Sequence, residues 1–470
     1  MSLKKTFTAI LKKDAISSFS KKIELGRMLP ETVRSYKTTI VKWMIIGFLI
    51  RVAIMPLFSE PDMIDIASMG FVLKETHQLL PSGYPALISY LFATLYVIFD
   101  PVLPLNMIFS DITSNTSYTP SRLCYPFRLS EPGIFAFIFV SKLPYLIFDF
   151  ALALLLLHLI DNEKKGLLVL KLWMINPVSL YVSYYVGQFD VIPVFFLALM
   201  LYFFKKKKAE WAMLSLGLTS AFKIFGLLLA LPLSLIFVKE NRGSIARMKR
   251  AVKLVGVTLL PLVLVILTSF LIPAYYISAN AAGFSFDLNG FFGKTRYDRG
   301  RPSPSYFSGL FFYFIDYSSR LATFPSFIDV IYLFPLIYGL FLLGVIHWRN
   351  WSFERFWKVI LVFFLVYFST SLFHTQWFLW VQPLLVLLIV ENRKFLSLYL
   401  ASIPLYFVYT LYWYPGLEPL MNSIGLPGIQ TVNLFRSFLS ALLIFTALLI
   451  VIQIFIPERI QKIVKKNTCD

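Results

Sequence analysis

Long apolar segments alternate with short polar segments along most of this chain. A helix needs about 20 apolar residues to cross a hydrocarbon core roughly 30 Å thick. Runs of about this length recur and predict membrane-spanning helices, whereas a transmembrane barrel would show alternating polar and apolar residues. The predicted spans are about 39–58, 133–160, 166–186, 190–204, 251–274, 327–347, 357–373, 377–391, 395–413 and 433–456.

Two further apolar runs do not fit a single span. Residues 84–109 are interrupted by Asp100-Pro101 and by Pro104, so we expect this run not to cross fully. Residues 209–238 are too long for one upright helix at about 1.5 Å per residue, and lysines flank both ends. We therefore expect a tight hairpin of two short helices there. The predicted fold is an all-α, polytopic transmembrane helical bundle of about 11–13 spans.

Composition and charge place this bundle in a membrane. Of the 470 residues, 58% are hydrophobic and only 15% are charged, too few to cover a soluble protein of this size. The net charge of +19 does not indicate nucleic acid, because Lys and Arg form short clusters between apolar runs, as the positive-inside rule describes. These clusters lie at 205–208, 239–253, 349–358, 393–394 and 459–466. Two cysteines, Cys124 and Cys469, predict no disulfide framework.

The charge pattern also predicts the order of segments along the chain. We expect a cytoplasmic basic leader (1–38), an N-terminal membrane module (39–250) with an acidic external loop (59–82), a C-terminal module (251–456) with an external loop (275–325), and a cytoplasmic basic tail (457–470). The polar candidates discussed next then share the external or luminal face.

Three carboxylates directly follow the first predicted span. They are Glu60, Asp62 and Asp65, and a helix that begins after Pro61 would place Asp62 and Asp65 on one face. One interpretation is an acidic helix N-terminus in water, which the helix dipole favours. The other is a catalytic base held at the membrane interface.

Two polar segments on the same predicted face offer groups that could bind a substrate. Gln188 and Asp190 follow Gly187 between two apolar runs, and form either a polar turn or part of a site. Loop 275–325 contains Arg296 and Arg299 on a face where positive charge is otherwise sparse. Guanidinium groups bind phosphate in a bidentate manner, so these arginines predict an anionic lipid headgroup, with ordinary surface charge as the alternative.

Ionisable residues also occur inside apolar runs. Lys223 lies within 209–238, where a charge costs about 3 kcal/mol on insertion scales, so it either reaches the interface or has a phosphate or carboxylate partner. Lys142 and Asp149 are seven residues apart on one face of a predicted helix, which favours structural pairing for Asp149.

Another polar segment joins the predicted spans 357–373 and 377–391. His374, Gln376 and Trp377 lie there, and Trp380 follows. An interfacial Trp is often only an anchor. An aromatic face beside amide and imidazole groups is also consistent with the recognition of sugar hydroxyls.

Four motifs in this order resemble the GT-C superfamily of polytopic glycosyltransferases, which use polyprenyl-phosphate sugars. Their order and spacing look like those of prokaryotic members, and somewhat like the mannosyltransferase of the glycolipid anchor pathway, so the resemblance favours a prokaryotic cell membrane over the endoplasmic reticulum. The resemblance covers about residues 39–390. The motifs are Glu60-Pro61-Asp62 with Tyr84-Pro85-Ala86-Leu87; Lys142-Leu143-Pro144 with Asp149, Asn176-Pro177 and Gly187-Gln188-Phe189-Asp190; Lys223 before Leu231-Pro232; and Phe373-His374-Thr375-Gln376-Trp377 with Trp380 and Pro383.

The resemblance implies a GT-C fold and a lipid-linked donor. The donor would be a polyprenyl (dolichyl) phosphate hexose, with mannose as the first candidate, and the acceptor a glycan, a lipid or a protein. Asp62 would act as the general base, with Glu60 and Asp65 as alternatives, and configuration would invert. A divalent cation, Mg²⁺ or Mn²⁺, is a candidate cofactor, with Asp62 and Asp190 as candidate ligands.

The resemblance also implies roles for the remaining polar residues. Lys223, Arg296 or Arg299 would neutralise the leaving phosphate. Gln188 and Asp190 would orient the acceptor or a metal ion. His374, Gln376 and Trp377 would contact the sugar. Three other functions stay open: a flippase or transporter of lipid-linked glycans, a surface-glycan polymerase or ligase, and a non-enzymatic membrane scaffold.

Overall fold

A computed structural model describes most of the chain. The described residues are 31–79, 86–103, 105–109, 133–239, 243–272, 297–298, 301–302, 333–348, 351–370, 375–413 and 428–455. Contacts divide the chain into two compact units, residues 1–50 and 51–470. Every contact discussed below lies within the second unit.

Nearly all described residues are helical. The α-helices, numbered in chain order, are α1 (Glu31–Ile54), α2 (Pro61–Thr76), α3 (Ala86–Phe99), α4 (Leu105–Ile108), α5 (Ile134–Ser141), α6 (Leu143–Leu159), α7 (Glu163–Met174), α8 (Pro177–Ser179), α9 (Val191–Lys205), α10 (Ala209–Phe222), α11 (Ala230–Val238), α12 (Ser244–Leu271), α13 (Leu333–His347), α14 (Phe353–Thr370), α15 (Gln382–Glu391), α16 (Leu396–Trp413) and α17 (Gly428–Phe455). A π-helix covers Leu180–Val186, and 3₁₀ helices cover Ile224–Leu229, Thr375–Trp380 and Arg393–Phe395. Two short strands, Tyr297–Asp298 and Arg301–Pro302, pair antiparallel.

Several of these helices are suited to a membrane. Within the described residues, three helical stretches are long and apolar enough to cross one: Ile134–Leu159, Glu163–Val186 and Ser244–Ser269. Shorter apolar helices accompany them, including α9 and α15. The prediction of an all-α integral membrane protein is therefore confirmed.

The segment expected as an acidic loop is largely a helix. Pro61 starts α2, which continues to Thr76, and its residues from Met63 to Val72 are almost entirely buried. The apolar run inside α2 is much shorter than the roughly 20 residues of a full span, which is why the sequence suggested a loop. Helix α3 packs against α2 so closely that a Cβ on Gly70 would lie 2.4 Å from the Cβ of Phe92.

The run 209–238 is broken into two short helices, as its length predicts. Helix α10 ends at Phe222, and Lys223 adopts an extended conformation with φ −149° and ψ 126°. A 3₁₀ turn then leads into α11, which begins at Ala230. This break takes the Lys223 side chain out of regular helix and lets it reach a neighbouring segment.

Two packed helices, α6 and α9, separate two polar regions. Both start near the polar residues of the Gly187–Asp190 turn, and α9 extends about 22 Å over its 15 residues. At its other end, Lys205 donates to the carbonyl of Leu159, the last residue of α6. We name these regions the carboxylate end (Glu60, Asp62, Gln188 and Asp190) and the lysine end (Asp161 and Lys205).

Candidate functional site

The carboxylate end begins where α1 gives way to α2. Glu60 precedes α2 in an extended conformation, and Pro61 fits the first helical turn because its missing N–H is not needed there. Asp62 lies in that first turn, where the helix dipole favours a negative charge. Both carboxylates are half-buried. The local sequence therefore fixes two acids at one helix N-terminus.

The second half of the site comes from the break after the π-helix. Gly187 ends that helix with φ +92°, a left-handed conformation that favours glycine. The backbone N–H of Glu60 donates to the carbonyl of Val186 at 2.9 Å, which ties the two segments together. Gln188, two residues after Val186, is fully buried.

Gln188 joins the two carboxylates. Its Nε2 donates to Oε2 of Glu60 at 2.7 Å and to Oδ2 of Asp62 at 3.2 Å. Its own Oε1 is buried without a hydrogen-bond partner among the described residues. In the described part of the chain, Gln188 is also the hydrogen-bond partner of Asp62. The arrangement therefore offers acceptor oxygens that a ligand carrying hydroxyl donors would satisfy.

Asp190 follows Gln188 by two residues, but its carboxylate oxygens already accept hydrogen bonds from other side chains. Lys223 Nζ contacts its two carboxylate oxygens at 2.7 and 2.8 Å, and Trp380 Nε1 donates to Oδ1 at 2.7 Å. The Lys223 ammonium also lies 5.0 Å from the ring centre of Phe189. Asp190 is completely buried, whereas 11% of the Lys223 side chain is exposed. The sequence left the partner of Lys223 open, and it is this carboxylate.

The hydrogen bonds of Asp190 test its predicted role as a metal ligand together with Asp62. Both oxygens of Asp190 already accept from Lys223 and Trp380, so this carboxylate does not fit a role as a ligand together with Asp62. The described residues contain no group of three or more His, Cys, Asp or Glu side chains arranged to hold a metal ion.

The other predicted site residues are distributed around this centre. Asp65 is one turn after Asp62 in α2 and half-buried, and its carbonyl accepts from Ser68. Gln376 and Trp377 are buried in the 3₁₀ helix that carries Trp380, and the Trp377 ring packs on Phe225 at 4.6 Å. Three predicted residues lie outside the described residues: Arg296, Arg299 and His374.

The pairing expected between Lys142 and Asp149 does not form. Asp149 accepts instead from Arg51 Nε at 2.7 Å, from Trp173 Nε1 at 2.6 Å and from the Tyr184 hydroxyl at 2.8 Å. Arg51 and Asp149 are both completely inaccessible to solvent. Asp149 is a structural carboxylate, as expected, but its cationic partner comes from the end of α1.

Comparison with known proteins gives one partial match. Residues 130–291 match the family model described as GPI transamidase subunit PIG-U. The match spans about a third of the chain and includes Gln188, Asp190 and Lys223. It begins after Glu60 and Asp62, which therefore lie outside it. No curated protein and no solved structure matches the chain. The segment that supplies Gln188 is thus similar to a GPI transamidase subunit, whereas the two acids come from outside the matched range.

Proposed function

We propose that this protein transfers a hexose, mannose in the first instance, from a polyprenyl-phosphate sugar to an acceptor hydroxyl at the carboxylate end. The observation that carries the proposal is the amide of Gln188, which holds Glu60 and Asp62 side by side. An acceptor hydroxyl that donates to Asp62 would be oriented and deprotonated by the same carboxylate.

The proposed reaction is a single displacement. Asp62 takes the proton of the acceptor hydroxyl as the acceptor oxygen forms a bond to the anomeric carbon. The bond from that carbon to the phosphate oxygen breaks, and its electron pair leaves with the polyprenyl phosphate. Attack from the opposite side inverts the configuration. Gln188 holds the Asp62 carboxylate in place by its hydrogen bond of 3.2 Å, and Glu60 accepts from the same amide.

The leaving phosphate needs a positive charge to stabilise it. Among the described residues of the carboxylate end, the nearby cation Lys223 is already paired with a carboxylate. Lys223 is neutralised by Asp190, so its ammonium is not an uncompensated cation for the phosphate. Arg296 and Arg299, which the sequence places in an external loop, are the partners that we propose for the phosphate oxygens. Asp190 then has the separate role of fixing the Lys223 segment against the Gly187–Asp190 turn.

A second candidate function follows from the partial family match. Residues 130–291 are similar to a GPI transamidase subunit, so the chain could act as a glycolipid-binding subunit of a membrane complex without transferring sugar. In that case the acceptor oxygens of Glu60, Asp62 and Gln188 would bind glycan hydroxyls and would not take a proton. Both functions place a glycan at the carboxylate end, and they differ in whether Asp62 acts as a base.

The deciding experiment measures transfer by the full-length protein in lipid vesicles. The donor is radiolabelled polyprenyl-phosphate mannose or glucose, and the acceptor is a membrane lipid and glycan extract. We expect Asp62→Asn to lower the rate by about 10²-fold or more, the contribution typical of a general base. Asp161→Asn at the lysine end is the matched control, because its side chain is 93% exposed, and it should leave the rate unchanged.

Two outcomes would contradict the proposed transfer. Equal rates for the wild type and Asp62→Asn would remove Asp62 from the chemistry. Absence of transfer by the wild type, together with retention of labelled glycolipid that Asp62→Asn weakens, would favour the binding subunit instead.

A further inference from the structure

Lys142 occupies an unusual environment beside the carboxylate end. It lies between α5 and α6 and is completely buried. Its ammonium group contacts four backbone carbonyl oxygens: Met55 at 2.9 Å, Phe58 at 2.5 Å, Tyr184 at 2.7 Å and Tyr185 at 3.0 Å. Among the described residues it forms no ion pair with a carboxylate, so carbonyl dipoles alone compensate its charge there.

The four carbonyls belong to two chain segments that lead directly into the candidate site. Met55 and Phe58 follow the end of α1 and precede Glu60. Tyr184 and Tyr185 lie in the last part of the π-helix and precede Gln188. One ammonium group therefore bridges the segment that supplies the carboxylates and the segment that supplies the amide.

Burial makes this bridge difficult to replace. A buried charge is costly unless hydrogen bonds satisfy it, and hydrogen bonds to a charged group are roughly twice as strong as neutral ones. Carbonyls near the C-terminal ends of helices carry the negative end of the helix dipole, which favours a cation. Removal of the ammonium would leave four carbonyls of the two segments facing one another without a donor.

Further contacts fix the same junction. The Tyr145 hydroxyl, one turn along α6, donates to the carbonyl of Gly187 at 3.0 Å. A Cβ on Gly187 would lie 3.0 Å from Cε of Lys142, so the glycine allows the lysine stem to pass. The Glu60 N–H then donates to Val186 across the junction. The lysine is thus the centre of a connected arrangement.

We propose that Lys142 is a positioning residue for the carboxylate site. Its ammonium holds the chain before Glu60 against the chain before Gln188, and thereby sets the distance between the Gln188 amide and the two carboxylates. Lys142 does not contact the reacting atoms. The kinetic part of this inference rests on the proposed sugar transfer, whereas the link between the two segments can be tested without it.

The kinetic test compares three lysine variants in the vesicle assay. Lys142→Met keeps the unbranched apolar stem of the side chain, one heavy atom shorter, and removes the charge and the donors. We expect kcat to fall by roughly 10- to 100-fold with KM for the donor little changed, because small displacements of catalytic groups cost about this much. Lys142→Gln retains an N–H₂ donor for part of the carbonyl set and should lie between the wild type and Lys142→Met.

Lys205→Met is the matched control for loss of a lysine that caps carbonyls. Lys205 donates to the carbonyls of His158 and Leu159 and to Asp161 at the lysine end, away from the site. It should retain the wild-type kcat. Equal losses in Lys205→Met and Lys142→Met, or a wild-type kcat in Lys142→Met, would overturn the proposal.

Hydrogen–deuterium exchange tests the link directly. The amide of Glu60 reports on the junction, because it is bonded to the carbonyl of Val186. We expect peptides covering residues 55–63 and 182–190 to exchange about tenfold faster in Lys142→Met, with the rest of the protein unchanged. Lys142→Gln, the milder change, keeps this test available if Lys142→Met does not fold.

The two measurements separate the possible failures. Faster exchange confined to the two segments supports the positioning role even if the wild type transfers no sugar, in which case the proposed function fails alone. Uniformly faster exchange across the chain, or unchanged exchange at the junction, would contradict the positioning role whatever the transfer assay shows.

Discussion

The carboxylate end and the lysine end both contain ionic contacts, but burial gives these contacts different consequences. At the lysine end, Lys205 pairs with Asp161, whose side chain is 93% exposed, so water solvates the carboxylate although only 16% of the Lys205 side chain is exposed. Near the carboxylate end, Arg51 and Asp149 are fully inaccessible. Exposed pairs contribute about 0–1 kcal/mol, whereas breaking a buried pair costs about 3–5 kcal/mol. The same kinds of residue are thus peripheral at one end and structural at the other.

The largest predicted effect is on the buried network around Asp149. Arg51→Met should lower the free energy of unfolding by about 4–5 kcal/mol, because it leaves the Asp149 carboxylate buried without its cation. SDS titration in mixed micelles measures this change. Arg51→Met with Asp149→Asn should recover part of the loss, since the buried charge is then gone.

The lysine end supplies the comparison for this prediction. Lys205→Met should cost less than about 1 kcal/mol in the same titration, because Asp161 stays hydrated without it. Similar losses in Arg51→Met and Lys205→Met would show that burial does not determine the difference between the two ends.

The second prediction concerns Asp190 and Lys223, where one partner is buried and the other is slightly exposed. Lys223→Met should destabilise the protein by about 3 kcal/mol, less than Arg51→Met, because Trp380 still donates to Asp190 and water can approach. A double-mutant cycle with Asp190→Asn should give a coupling energy of about 1–3 kcal/mol. A coupling energy near zero would mean that the contact does not hold the Lys223 break in place.

These contrasts also show what the sequence could predict. Apolar runs near the length of a span predicted the all-α membrane fold, and the excess length of residues 209–238 predicted its division into two short helices. Glu60, Asp62 and Gln188 stood out because polar residues at the edges of apolar runs need a reason. Their side chains do meet, and their part in catalysis stays a proposal.

The partners of buried cations were beyond sequence reasoning. Lys142 binds backbone carbonyls, which every residue possesses, so no pattern of side chains marks them. Arg51 and Asp149 are 98 residues apart along the chain, and the folded chain brings Arg51 to the Asp149 carboxylate and to the carbonyl of Met174. Spacing along one helix suggested Lys142 for Asp149 instead. Tertiary geometry instead gives Asp149 a cation that no sequence pattern had singled out.

The smallest predicted effect is pH-dependent and lies in a third ionic cluster, formed by Glu354, Lys358 and Glu391. Its hydrogen bond with Glu391 and the ammonium of Lys358 lower the pKa of Glu354 from 4.5 to about 2. A carboxylate whose pKa is lower in the folded state stabilises the fold above its unfolded pKa. That contribution is lost as the pH falls from about 4.5 towards 2.

The Glu354 side chain is 63% exposed, so solvent screening should keep the loss below about 1 kcal/mol. We therefore expect the free energy of unfolding, measured by SDS titration between pH 4.5 and pH 3, to decrease slightly more in the wild type than in Glu354→Gln. Parallel curves for the two proteins would show that this cluster contributes nothing. A difference of several kcal/mol would show that an exposed cluster can stabilise the fold as strongly as a buried one. That result would contradict the conclusion that burial determines how much an ion pair contributes.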